Sequence, residues 1–363
     1  MSSSPLAEYL QSRLAAVATR LPLSWINLMA GAPRTIEGRT LDARSQWLLR
    51  LIERSGRPPL NRLDIDLART EYDESMKLLS GNWLAETMLW GGGVPIGEVI
   101  DRTIPGAAGP IAVRIYKPQV TAGRKLPAML WLHGDGWCLG SLDGYDAVCR
   151  FFAAHCELIV VAVDYRLAPE HRFPAALDDG MAAWKFLAAE AGALGANPAQ
   201  LVIAGDSAGA NLATVLAAML RDQPSKPAFQ LLICPICDLA LDTPSMTSCG
   251  TGFLLTRDML AWFRDLYLAD QALIADPRVS PLRADDLRGL PPTLLVTAGF
   301  DPLRDEGKAY AERLKQAGVA AIHREFDALT HGFIGMRGTL QGAARAMDEI
   351  AAGLRHELAT LLR

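Results

Sequence analysis

Ile203-Ala204-Gly205-Asp206-Ser207-Ala208-Gly209 is the stretch on which the reading of this chain turns. An apolar run enters a Gly-x-Ser-x-Gly pentapeptide, and a helical pattern runs on from Ala208 to Leu220. A serine on so sharp a strand-to-helix turn sits in strained backbone, its hydroxyl held above the sheet edge. Gly205 and Gly209 keep side chains out of the crowded turn. Five residues with two fixed glycines arise by chance in many chains. The weight therefore comes from context: a strand before, a helix after, and chemical partners elsewhere.

Outward from that turn, strands and helices alternate from about residue 97 onward. Apolar or alternating runs at 97–104, 111–116, 127–132, 158–164, 201–204, 229–234, 293–297 and 322–326 read as strands. Helical patterns fall at 146–155, 175–189, 208–221, 305–316 and 341–362. The later strands are continuous and rich in Val, Ile and Leu, as expected when helices cover both sheet faces. The first two are separated only by 105–110, which predicts a hairpin at one edge. The fold class is α/β, with a mainly parallel sheet.

Two regions interrupt the alternation. Residues 1–96 are mostly helical and end in Trp90-Gly91-Gly92-Gly93, a connection before the first strand. Residues 235–290 form a long insertion with a helix of its own at 257–270, which reads as a functional lid. Both are expected over the strand ends. The core is then 97–234 and 291–363.

Bulk properties narrow the class. The 363 residues are 50% hydrophobic and 21% charged, the balance of a globular protein with a substantial core. A net charge of −4 argues against nucleic-acid binding, which needs a basic stripe. Six cysteines do not make a disulfide scaffold. A loop rich in Asp and Pro, not a helix, follows Cys234-Pro235-Ile236-Cys237, so redox chemistry is not expected there. Reduced structural thiols point to a cytoplasmic setting. No stretch has the length and apolarity of a membrane span. The amphipathic start (Leu6, Leu10, Leu14, Val17, Leu21) reads as a surface helix on its own protein, with weak membrane-surface contact as the sharper alternative.

A nucleophilic serine needs a base, and the base needs an orienting carboxylate, here in the chain order Ser, Asp, His. His323 lies inside the last strand, alternating with Glu325, and reads as a surface residue. His331 follows that strand in a loop from which it can reach Ser207. Asp301 leaves the C-terminal end of the preceding strand and ranks first on position, a simple helix cap being the alternative. Asp305 and Glu306 are explained as acidic residues in a helix's first turn. The oxyanion formed on attack needs pre-aimed N–H donors. One is expected from Ala208, others from Asp135 and Gly136 in His133-Gly134-Asp135-Gly136-Trp137.

These motifs, with Tyr165-Arg166-Leu167-Ala168-Pro169-Glu170, Asp301-Pro302-Leu303-Arg304-Asp305 and His331-Gly332-Phe333, resemble the hormone-sensitive lipase family of α/β-hydrolases, the bacterial family IV esterases. The match covers about 90–363 in order and spacing. It implies an eight-stranded α/β-hydrolase core flanked by helices, with a helical cap made by the N-terminal region and the insertion. It also implies hydrolysis of short- to medium-chain carboxylic esters without metal or cofactor. His133, Gly134, Trp137, Gly205, Asp206 and Gly209 are then motif residues that support the site, and homodimers are common in that family. The Tyr165–Glu170 motif is read there as structural, with Arg166 paired to a carboxylate.

One position departs from the family, which usually has glycine where this chain has Asp135. Its N–H can still donate. Its carboxylate, however, would repel an oxyanion, so the side chain is expected to turn away and accept from neighbouring amides. The same triad would also serve an amidase, a carbamate hydrolase or an acyltransferase. A non-catalytic ligand-binding relative is disfavoured by the presence of His331.

Overall fold

The computed structural model describes residues 21–79, 96–119 and 123–361. The expected helix before residue 20 and the glycine-rich connection at 90–93 lie outside them. Eight strands form one sheet: β1 (Ile96–Gly106), β2 (Gly109–Pro118), β3 (Leu126–Leu132), β4 (Ile159–Val163), β5 (Ala196–Asp206), β6 (Phe229–Ile233), β7 (Thr293–Phe300) and β8 (Ala321–Thr330). Their spatial order is β8-β7-β6-β5-β3-β4-β2-β1. Only β1–β2 and β2–β4 are antiparallel, and every other pair is parallel.

The helices, in chain order, are α1 (Leu23–Ala30), α2 (Ala43–Ser55), α3 (Ile65–Leu79), α4 (Asp146–Cys156), α5 (Ala175–Leu194), α6 (Ser207–Leu220), α7 (Pro244–Ser248), α8 (Arg257–Tyr267), α9 (Arg304–Gln316) and α10 (Gln341–Thr360). Every residue of β4, β6 and β7 is buried, which the continuous apolar runs required. The period of two then divides each strand between two cores. Ala128, Leu130 and Leu132 pack with Trp184, Leu212 and Leu216 of α5 and α6. Met129 and Trp131 face the other way, onto Phe152 of α4 and Met347 and Ile350 of α10. The edge strands β1 and β8 keep exposed positions, and β8 alternates over its first five residues.

All eight expected strands are present, with corrected limits. The first hairpin is tighter than the 105–110 turn, because the proline pair Pro105↔Pro110 and Gly106↔Gly109 still face one another across the edge. Proline lacks a ladder donor and is tolerated at an edge strand. Helix α5 runs on to Leu194, through Gly192 as well as good helix formers, and stops at Gly195, φ +87°. Helix α8 ends at Tyr267 because Leu268 is extended.

The N-terminal residues and the insertion both meet the C-terminal strand ends. Arg69 of α3 bonds the carbonyls of Cys138 and Ala168 at 2.9 and 3.0 Å and clamps Glu170. A two-residue hairpin (35–36 with 39–40) carries Glu37, which accepts from buried Arg304 at 2.7 Å. From the insertion, Tyr267 stacks on Trp137 with centroids 4.1 Å apart and planes 5° apart. Asn211 of α6 ties the insertion down by donating to the Ile236 and Val279 carbonyls, both at 2.9 Å.

Candidate active site

Strand β5 delivers Asp206 and turns at once into α6, with Ser207 at φ +52°. A residue with a Cβ rarely adopts that region, and here the surroundings over-determine it. A Cβ on Gly205 or Gly209 would fall inside van der Waals contact of the Leu132 carbonyl oxygen. The two glycines therefore permit the close approach of α6 to β3 that holds the serine up.

His331, in the loop after β8, lies between two partners. Its Nε2 is 3.0 Å from Ser207 Oγ, and its Nδ1 is 2.8 Å from Asp301 Oδ2. Asp301 is fully buried, and its other oxygen, Oδ1, accepts from the Leu303 amide at 2.9 Å. Each Asp301 oxygen thus has its own partner, His331 on one and the Leu303 amide just ahead of α9 on the other. Ser207 is 6% exposed, so the hydroxyl and imidazole are nearly withdrawn from solvent.

Burial pushes the His331 pKa down. The carboxylate of Asp301, followed by those of Asp206 and Asp135, pushes it up, and the net shift is above the ordinary histidine value. His133 is different. Buried and stacked on Tyr165 at 4.2 Å, with Nδ1 3.2 Å from the Gly134 carbonyl, it is driven down to about 4 and stays neutral. The Tyr165 hydroxyl donates to the His133 and Gly134 carbonyls at 2.9 and 3.1 Å and so shapes the glycine turn. Arg166 pairs with Asp179 at 2.8 Å.

The turn itself has three consecutive positive φ values: Asp135 +74°, Gly136 +64° and Trp137 +60°. Among the described residues the amides of Asp135 and Gly136 donate to no protein acceptor, while the Gly134 amide is taken by the Tyr145 hydroxyl at 3.2 Å. Phe263 of α8 covers Gly136 so closely that a side chain there would enter its ring. Ala208, first after the serine, lies in the first turn of α6, where backbone N–H groups have no intrahelical partner.

The Asp135 side chain does turn aside, but its partner differs from the one expected. Its Oδ1 accepts from the hydroxyl of Tyr72 on α3, not from neighbouring amides. Asp206 accepts from Tyr145 at 2.9 Å. Sequence reasoning missed Tyr72, Tyr145 and Phe263, because isolated aromatic residues carry no pattern that distinguishes them from core. Asp305 and Glu306 also do more than complement a helix end. Asp305 accepts from the Ser245 amide at 2.8 Å, and buried Glu306 accepts from the Cys237 amide at 2.7 Å, so both hold the insertion. His323 is half-buried, 2.8 Å from Thr297 Oγ1 and away from the serine.

Among the described residues, Cys234, Asp301 and His331 bring ligand atoms within 4.8 Å of one another. The Asp301 and His331 atoms are already bonded to each other, and burial pushes the Cys234 thiol well up, away from the thiolate that a metal needs. The trio is better suited to moving a proton than to holding an ion. All six cysteines are free and buried.

Residues 129–335 match a family model described as the alpha/beta hydrolase fold. The chain is 42% identical to carboxylic ester hydrolase LipN of Mycobacterium tuberculosis over 72% of its own length and 71% of that protein. It is 36% identical to an ethyl acetate hydrolase of Pseudomonas putida, over 83% and 92% of the two chains. A hyperthermophilic esterase from the archaeon Pyrobaculum calidifontis superposes with a TM-score of 0.80 at 37% identity, covering 87% of this chain and 98% of that one. With the ordered motifs, the strand order and these relatives in agreement, the chain belongs to the α/β-hydrolase family, in its hormone-sensitive lipase-like branch.

Proposed function

We propose that this protein is a serine carboxylic ester hydrolase acting on short- to medium-chain acyl esters through an acyl-enzyme. The observation that carries the reading is His331 bridging Ser207 and Asp301 at 3.0 and 2.8 Å. Ser207 Oγ attacks the acyl carbonyl as His331 Nε2 takes its proton, and the same nitrogen then protonates the departing alcohol. Asp301 fixes the tautomer and stabilises the imidazolium. The amides of Asp135, Gly136 and Ala208 stabilise the tetrahedral oxyanion, each donor contributing about 2.7–4 kcal/mol where such donors have been removed. Water admitted after alcohol release is activated by His331 and frees the acid. The ester hydrolases among the relatives support this class over amide, carbamate or acyl-transfer chemistry.

The N-terminal helices and the 235–290 insertion are proposed to form the cap, since Tyr72, Phe263 and Tyr267 all reach the oxyanion loop. A p-nitrophenyl series from acetate through butyrate and octanoate to palmitate tests the substrate class. The expected kcat/KM peaks among the shorter acyl groups and collapses at palmitate. A maximum at palmitate, or faster turnover of the matching anilides, would reject it.

Further readings concern surroundings. Among the described residues no helix is long and apolar enough to cross a membrane. Helix α1 buries Ile26 and Ala30 yet exposes Trp25 (63%) and Leu28 (82%). Residues 1–62 hold nine arginines against four acidic residues in a chain of net charge −4. That pairing supports contact with an anionic membrane surface. The 35–42 segment covers the later part of the outer edge of β8, where the Asp42 amide donates to the Ala328 carbonyl at 2.9 Å; the start of that edge, with Ile322 exposed, supports a homodimer, and the free thiols support a cytoplasmic location. Salt-sensitive co-sedimentation with anionic vesicles and a dimer mass by light scattering are expected. No sedimentation and a monomer mass would remove the first two readings.

A further inference from the structure

We propose that Asp135, held by Tyr72 of the N-terminal region, is a positioning residue that locks the oxyanion loop and supports the charged form of His331. The inference rests on the proposed roles of Ser207 and His331, and goes beyond them.

The geometry is a chain of contacts across three segments distant in sequence. Tyr72 on α3 donates to Asp135 Oδ1. Tyr145, just before α4, receives the Gly134 amide at 3.2 Å and donates to Asp206 Oδ2 at 2.9 Å. The donor turn 133–136 is therefore gripped at Gly134 from one side and at Asp135 from the other. A turn with three successive positive φ values is costly to maintain, and such strain persists only where its surroundings fix it. Where glycine would leave the turn free, aspartate supplies a handle for α3.

The second half concerns charge. Asp135 Oδ2 and Asp206 Oδ1 are both buried without a hydrogen-bond partner among the described residues. Two carboxyl groups so placed do not both ionise readily. Burial lifts Asp135 to about 6, against the bond from Tyr72 and the nearby Tyr145 hydroxyl. Asp206 goes well above its ordinary range through burial and then the nearby Asp135. Both are thus held above the ordinary carboxylate range, and Asp135 ionises once the pH passes about 6. The titratable groups facing Asp135 are Tyr72 and Asp73 on α3, Tyr145, Tyr165, Asp206, His331 and, within its own loop, His133. His331 in turn faces Asp301, Asp206 and Asp135.

The charge acts in opposite senses on the two developing ions. It opposes the oxyanion and favours the imidazolium, so its net effect on kcat is small while its effect on the His331 proton is not. His331 must be neutral to accept from Ser207, and a nearby carboxylate stabilises the protonated form. Removing that carboxylate lowers the His331 pKa and carries the acid limb of kcat/KM to lower pH.

Two variants separate the parts. Asp135→Asn keeps the backbone amide and an acceptor for Tyr72 and tolerates positive φ, so its readout is the pH profile of kcat/KM. Its acid limb should move down by roughly half a pH unit, the scale of a neighbouring charge at partial burial. Tyr72→Phe removes the grip and should lower kcat about fivefold with KM unchanged, the scale of one hydrogen bond. Thermal melting of each variant checks the fold. Either a wild-type acid limb in folded Asp135→Asn or wild-type kcat in folded Tyr72→Phe would overturn the proposal. If Ser207→Ala is meanwhile inactive, only this inference fails. If Ser207→Ala turns over normally, the underlying reading fails instead.

Discussion

Asp301→Asn is expected to lower kcat by about four orders of magnitude, roughly 5.5 kcal/mol of barrier, while leaving the protein folded. In the native site Asp301 Oδ2 can only accept, so the proton of neutral His331 is held on Nδ1 and the lone pair of Nε2 faces Ser207. An asparagine whose amide nitrogen faces His331 reverses this. Nδ1 becomes the acceptor, Nε2 carries the proton, and the base has nothing with which to take the Ser207 proton. The fold survives because Asn can still receive the Leu303 amide and fills the same space. The variant also carries a pH signature. Asp301 is the strongest influence raising the His331 pKa. Its loss places the acid limb of the residual activity at lower pH than in wild type. Rates on p-nitrophenyl butyrate across pH measure both. A loss under about tenfold would show that Asp301 is only a helix cap, since one ordinary hydrogen bond is worth no more.

Ser207→Ala is expected to cost more, about 10⁵- to 10⁶-fold in kcat, leaving only what the oxyanion amides and binding contribute. Alanine has the same Cβ, so the φ of +52° is no harder to hold than with serine, and melting should change little. Combining the two substitutions should cost scarcely more than Ser207→Ala alone, because both remove the same step.

Much of this was legible in the sequence, for physical reasons. Runs such as Ile159–Val163 and Phe229–Ile233 are buried on both faces, so their apolar character is continuous and their placement unambiguous. Ser207, Asp301 and His331 could be assigned because each follows the end of a strand, and parallel strands bring those ends to one side of the sheet. Cross-chain side-chain contacts could not be read. Tyr72 lies 63 residues from Asp135, and only the packing of α3 against the loop joins them. Phe263 meets Gly136 for the same kind of reason. The sequence could show that a carboxylate at 135 has to be turned aside. It could not show that a tyrosine from another segment would hold it there.

Ser207 Oγ is the atom expected to bond to the acyl group. A p-nitrophenyl alkylphosphonate releases p-nitrophenolate and leaves a stable phosphonyl ester on the nucleophile, and peptide mass mapping of the inactivated enzyme locates it. One phosphonyl group per chain on Ser207, formed in step with loss of ester hydrolysis and absent from Ser207→Ala, is the expected result. Complete inactivation with the adduct on any other residue would contradict the account.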